Sequence, residues 1–167
     1  QNLPVIFCLD RGGVAGADGP THHGAYDMAY MRCIPNMVVS APMDEIDLRN
    51  LMFTASQKHS GPFSIRYPRG AGSIVDWRQP FETITIGTGR KLEAGEDIAI
   101  LTIGAIGTQA TKAIPLLKSR TISAAHYDMR FVKPLDEMLL HEVFGSFDEI
   151  ILVEDGCILG GFGSAVI

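Results

Sequence analysis

Six short apolar runs punctuate the chain, "PVIFCLD", "NMVVSAP", "GPFSIRYP", "DIAILTIG", "SAAHYDMRF" and "EIILVED", and their repetition restricts the fold more than any other feature. Each reads as a strand, and "PVIFCLD", a continuous apolar run closed by glycines, as one buried on both faces of a parallel sheet. Helical stretches lie between them. "AYDMAYMRCI" reads as a short helix ending before Pro35. Pro42, Asp44 and Asp47 supply start signals, and Leu48, Leu51, Met52 and Ala55 fall at i, i+3, i+4 and i+7, which predicts an amphipathic helix over 44–58. Further helices are expected near 109–118 and 136–144, the first kinked or cut short by Pro115. The order is then β-loop-α-β-α-β followed by β-α-β-α-β, an α/β chain of two doubly wound three-layer units. Residues 1–70 make the first unit and 96–167 the second; 71–95, where periodicity fails around Trp77 and Pro80, reads as a linker with a small hairpin.

In open parallel sheets ligands bind outside the carboxyl ends of the strands. That rule points to "CLDRGGVAGADGPTHHGAYD", Cys8 to Asp27, a loop of a length that in compact domains is usually functional or disordered. Its glycines let a backbone approach a ligand closely, while Arg11, Asp18, His22 and His23 supply charge and proton-transfer capacity. A solvated surface loop needs none of these. A second strand end, "RYPRG", carries Arg69 with Gly70 clearing room beside it. Two arginines of one sheet edge would offer bidentate donors to a phosphate, each charge-assisted bond being worth roughly 1.5–3 kcal/mol. A surface salt bridge explains Arg69 equally well at this stage. Arg130, Glu154 and Asp155 stand at strand ends of the second unit and read as interdomain ion pairs. His59, His126 and His141 lie near or within regular elements and are expected to be structural or solvent-facing.

The net charge of −5 and the lack of a Lys/Arg stripe argue against nucleic acid as a partner. No apolar run approaches the length of a membrane-spanning helix. Cys8, Cys33 and Cys157 are widely spaced in apolar surroundings and read as buried thiols of a reducing compartment, hence the cytoplasm. Asp18 and His22 are four residues apart, but nothing nearby completes a ligand set, so no metal is expected in this segment. The chain starts at Gln1 directly before a strand and stops as a helix begins, which suggests an internal piece of a longer polypeptide.

The stretch "DRGGVAGADGPTHHGAYDMAYMRCIPNMVV", with "RYPRG" and "DMRFVKPLDE", resembles the 1-deoxy-D-xylulose-5-phosphate synthases, a transketolase-like family of thiamine diphosphate enzymes. The likeness extends through essentially the whole chain and implies the latter part of a pyrimidine-binding domain and the early part of a transketolase C-terminal domain. It implies that the parent decarboxylates pyruvate on thiamine diphosphate with Mg2+ and adds the two-carbon unit to glyceraldehyde 3-phosphate. The product feeds isoprenoid precursors and, in many bacteria, thiamine and pyridoxal cofactors. By matching position, Arg11 and Arg69 become ligands of the acceptor phosphate, His22 a proton carrier and Asp18 a hydroxyl-orienting group. His23 has no assigned role, and Gly12 stands where such enzymes often have Ala. The cofactor and magnesium groups are expected upstream of Gln1, so this segment alone should bind no cofactor and catalyse nothing. The resemblance also implies a homodimer. The alternatives are a transketolase, a 2-oxoacid dehydrogenase β subunit, or a non-catalytic phosphate-binding or assembly domain.

Overall fold

Phe63, Ser64, Ile65 and Arg66 are all buried, and the strand they form is one of the two inner members of the first sheet. The computed structural model describes residues 2–57, 61–72 and 74–167. The chain runs β1 (Ile6–Leu9), a 3-10 turn (Pro20–His22), α1 (Asp27–Arg32), β2 (Val38–Ser40), α2 (Glu45–Ser56) and β3 (Phe63–Arg66). It continues through β4 (Arg90–Glu93), β5 (Ile98–Thr102), α3 (Gly107–Lys118), β6 (Ala124–Asp128), β7 (Phe131–Lys133), α4 (Glu137–Ser146), β8 (Ile150–Val153) and α5 (Phe162–Val166). All six apolar runs contain a strand, and the α/β class holds.

The first sheet has the order β1-β3-β2-β7 and the second β4-β6-β5-β8. β1, β3 and β2 are parallel, with Leu9 opposite Arg66 and Val39 opposite Ser64. In the second sheet β6, β5 and β8 are parallel and β4 joins antiparallel to β6. Alternation along each strand divides the core. Val38, Phe63 and Ile65 face Leu51 and Ala55 of α2, whereas Val39 and Ala41 face a cluster shared with Leu101, Tyr127, Met129 and Phe162 of the second unit. Both sheets therefore bury one face against a common interior. Asp44 caps α2 by accepting from the Asp47 N–H at 2.8 Å, which is the start signal read from the sequence.

Several expectations need correction. β1 is not buried on both faces: it pairs only with β3, and Ile6 and Phe7 are exposed, because no strand lies on its other side among the described residues. "SAAHYDMRF" is two strands. Arg130 adopts a left-handed φ of 55° between them, and β7 turns away to pair antiparallel with β2 of the first unit. The hairpin expected within 71–95 is absent among the described residues; β4 belongs to the second sheet, and Ile84 is buried against α2 and β3. α3 begins at Gly107 and runs past Pro115, whose exposed position leaves the unpaired carbonyl one turn earlier to water. The first amphipathic helix ends at Ser56, and Lys58 and His59 lie outside the described residues. Cys8 and Cys33 are exposed and Cys157 is half-buried, so the reading of three buried thiols fails. His141 is solvent-facing; His126 is buried and structural, with its ring nitrogens 3.0 Å from Thr102 Oγ1 and 3.4 Å from Thr111 Oγ1.

Candidate functional site

The parallel register that sets Leu9 opposite Arg66 brings the carboxyl ends of β1 and β3 side by side. Just beyond, the Gly12 N–H donates to the Tyr67 carbonyl at 2.9 Å, so the glycine loop and the "RYPRG" turn leave the sheet together. Gly24 closes the loop at its base. Its N–H lies within reach of the Arg11 and Gly13 carbonyls, at 3.0 and 2.9 Å, and its own carbonyl accepts from the Gly13 N–H at 3.1 Å. Arg11 sits at a φ of 59°, a left-handed conformation that turns its side chain back over the loop.

Arg11 and Arg69 meet there, and Asp18 stands between them. Arg11 Nε donates to Asp18 Oδ2 at 2.9 Å, and Arg69 Nη1 pairs with Asp18 Oδ1. A further ion pair joins Arg11 to Asp10. Hydrogen bonds from Arg69 and then Arg11 hold the Asp18 carboxyl below its ordinary range. The hydrogen bond to Asp18 likewise raises Arg11. The salt bridge considered for Arg69 therefore exists, and its partner is a residue of the same site. His22 ends the 3-10 turn, exposed, with Nδ1 3.0 Å from Thr21 Oγ1. His23 is half-buried behind it. Of the residues singled out in the loop and turn, Arg11 and Arg69 each contact Asp18, whereas the contact that His22 makes is with Thr21.

On the other side of the "RYPRG" turn a cleft of about 530 Å3 opens between Tyr67, Pro68 and Gly70 and the first turns of α3, where Thr108, Gln109 and Lys112 line it. It lies between the two units.

Beneath the loop is a cluster that sequence reasoning missed. Arg66, buried to 2% exposure, donates from Nε to Asp27 Oδ2 at 3.0 Å and from Nη1 to Asp155 Oδ1 at 2.5 Å. Its Nη2 donates to the carbonyls of Gly24 and Asp155, each at 3.0 Å. Burial works against the charge of Arg66, but Asp155 and Asp27 outweigh it and the guanidinium is raised. The side chains read as interdomain ion pairs divide. Asp155 makes one with Arg66. Arg130 makes one with Asp47 of α2, Nε to Oδ1 at 3.2 Å. Glu154 does not: its carboxylate accepts the Phe162 and Gly163 N–H groups at 2.9 Å and caps α5. Arg90 completes the Asp47–Arg130 group by donating to Asp128 Oδ2 at 3.1 Å from Nε and 2.9 Å from Nη2. Burial first, and the neighbouring Asp47 second, push the Asp128 carboxyl up to about 6 despite that arginine.

Among the described residues no three His, Cys, Asp or Glu side chains converge as a metal site. Both arginines of the loop are already paired with carboxylates. With no metal site among them, the described residues do not fit a diphosphate and its cation.

Comparison with known proteins matches residues 1–73 to the pyrimidine binding domain of transketolase and residues 87–167 to the transketolase C-terminal domain. The whole chain is similar to proteins named 1-deoxy-D-xylulose-5-phosphate synthase: 66% identical to that of Cytophaga hutchinsonii and 58% to that of Bacteroides fragilis. The similarity to that of Microcystis aeruginosa is 45%. The chain spans 26% of the length of each of these relatives. Among solved structures it resembles a split-gene transketolase described as an inactive beta4 tetramer, with a TM-score of 0.85 and 31% identity, over 99% of this chain and 52% of that one. A transketolase from Pichia stipitis shares the fold, with a TM-score of 0.71 at 19% identity over 95% of this chain and 24% of that one.

Proposed function

Because the chain belongs to the transketolase family, we propose that it is the acceptor-handling part of a 1-deoxy-D-xylulose-5-phosphate synthase, contributing the latter part of the pyrimidine-binding domain and the early part of the C-terminal domain. In this reading the parent joins the two-carbon unit of pyruvate to glyceraldehyde 3-phosphate. Thiamine diphosphate with Mg2+ supplies the decarboxylation and carbon–carbon bond chemistry, and the groups that hold it belong to the rest of the parent. What remains for these residues is to bind the acceptor, orient it and move a proton.

The observation that carries the proposal is the convergence of Arg11 and Arg69 on a single carboxylate at the carboxyl edge of the sheet. Two guanidiniums aimed at one oxyanion position are what a phosphate monoester needs. A phosphate brings nearly two charges and three acceptor oxygens where Asp18 brings one charge and two, so it displaces the carboxylate. Asp18, kept ionised, is then free to accept a hydrogen bond from an acceptor hydroxyl. In this reading His22, exposed at the end of its short turn, carries the proton that the acceptor oxygen takes up. Glycines at 16 and 19, where a Cβ would meet nothing within 4 Å, leave the loop free to make that exchange.

The relatives' shared name favours the synthase over a transketolase or a 2-oxoacid dehydrogenase β subunit. The same reading makes the parent a cytoplasmic homodimer. No helix among the described residues is long and apolar enough to cross a membrane.

The test is carbon dioxide release from pyruvate by the intact parent with thiamine diphosphate and Mg2+, with and without glyceraldehyde 3-phosphate. Release coupled to the aldehyde supports the synthase. Turnover only with a ketose-phosphate donor moves the assignment to a transketolase, and no turnover with either leaves a phosphate-binding domain. The isolated 167 residues are expected to release none.

A further inference from the structure

We propose that Arg66 is a positioning residue for the acceptor-phosphate site and that Asp155, from the second unit, is the group that sets it. The inference rests on the reading of Arg11 and Arg69 as phosphate ligands but concerns different side chains.

Arg66 ends the inner strand β3, and its guanidinium reaches four acceptors on two separate stretches of chain, Gly24 and Asp27 on one and Asp155 on the other. One is the Gly24 carbonyl, which also accepts from the Gly13 N–H. The Gly24 N–H in turn faces the Arg11 carbonyl at 3.0 Å. Arg66 is thus two hydrogen bonds from the backbone of Arg11, although their side chains serve different partners. The packing is close as well as bonded. A Cβ at Gly12 would lie 2.6 Å from Arg66 Nε, one at Gly13 would land on the Asp155 carboxylate, and one at Gly24 would lie 2.8 Å from Asp27 Oδ2. Three of the loop's glycines are therefore held against the cluster, while Gly16 and Gly19 at its tip are unconstrained by neighbours. The loop has a clamped base and a free tip.

Asp27 belongs to the same unit as Arg66 and is buried with it. Asp155 follows β8 of the other unit and is 24% exposed. The fork of Arg66 is consequently oriented by where the second unit sits, and any change there reaches Arg11 through Gly24. A lysine at position 66 would keep the charge but could not serve Asp27, Asp155 and Gly24 at once.

The experiment uses the intact parent with Asp155→Asn and Arg66→Lys, and follows amide hydrogen exchange of Gly12, Gly13 and Gly24 together with KM for each substrate. Asp155→Asn preserves the side-chain volume and the backbone carbonyl bonded to Nη2, and it keeps the test open where Arg66→Lys fails to fold. The expected result is faster exchange at the three glycines, unchanged exchange in β5, and a rise of about tenfold in KM for glyceraldehyde 3-phosphate with KM for pyruvate unchanged. Equal rises in both KM values, or loop exchange at the wild-type rate, overturn the inference. If wild-type protein does not use the aldehyde phosphate, the functional reading falls while loop exchange in Asp155→Asn still decides the role of Arg66. Protection of the three amides by inorganic phosphate gives a further readout without turnover, expected weaker in the variant.

Discussion

Replacing Arg69 by Ala in the intact parent should lower kcat/KM for glyceraldehyde 3-phosphate by about tenfold to thirtyfold and leave unphosphorylated glyceraldehyde almost untouched. The magnitude follows from the position of the side chain. Bonds between charged groups are worth about 1.5–3 kcal/mol, and Arg69 is 48% exposed, so water screens it and the lower end of that range applies, about 1.5–2 kcal/mol. At about 1.36 kcal/mol per decade this gives the stated loss. Arg11, less exposed at 34%, remains to hold the phosphate, so the loss stops short of abolition. The assay is steady-state turnover with each aldehyde at saturating pyruvate, which forms a cycle in which the phosphate is removed from the substrate and the guanidinium from the enzyme. Arg69→Lys should recover part of the loss. An equal loss with both aldehydes, or a changed KM for pyruvate, would refute the argument and return Arg69 to the role of a structural partner of Asp18.

Other outcomes can be checked alongside. Asp128→Asn should change how stability depends on pH: the native carboxyl keeps its proton up to about 6 against 3.8 unfolded, so wild type loses stability as pH rises between those values. The gap between wild type and variant in chemical denaturation should shift by about 2–3 kcal/mol in favour of the variant from pH 4 to pH 7.5; a constant gap contradicts the assigned proton. Gly95→Ala should destabilise by roughly 1–3 kcal/mol or more, because its Cβ would fall on the backbone between Ala124 and Ala125, whereas Gly16→Ala should leave the melting temperature alone. Asp18→Asn should lower kcat while making inorganic phosphate a tighter competitor against the aldehyde, since the carboxylate no longer competes for Arg11 and Arg69. Weaker phosphate inhibition in that variant would count against displacement.

The α/β order and the arginine pair were legible because both are local signals. An apolar run bounded by glycine announces a strand wherever it is placed, and an arginine just past such a run sits at its carboxyl end. Arg66 carried no such signal: it lies inside "FSIRY", and its partners Asp27 and Asp155 are remote in the chain, so only the fold makes it a buried clamp. The error at β1 has the opposite origin. Apolarity reports what a side chain prefers to touch, and Ile6 and Phe7 lack a neighbour on one side among the described residues. The division of "SAAHYDMRF" was hidden because the left-handed residue at the break is Arg130 rather than glycine, and Phe131 and Val132 continue the apolar pattern across it. Glu154 and Asp155 are adjacent and alike, yet one caps a helix and the other crosses to the first unit; their order in the turn after β8 decides which.

The pairing of β7 with β2 also sets a timetable. A ribosome releases Val39 long before Lys133, its partner across the sheet. Until then the growing first sheet holds β2 open on one side, an unpaired edge of the kind that recruits stray strands. Chain emerges at about 5–20 residues per second, so the intervening stretch leaves that edge waiting for several seconds. The first unit is completed by residues made as part of the second, and dividing the chain at the connecting segment would take from β2 the partner that β7 supplies.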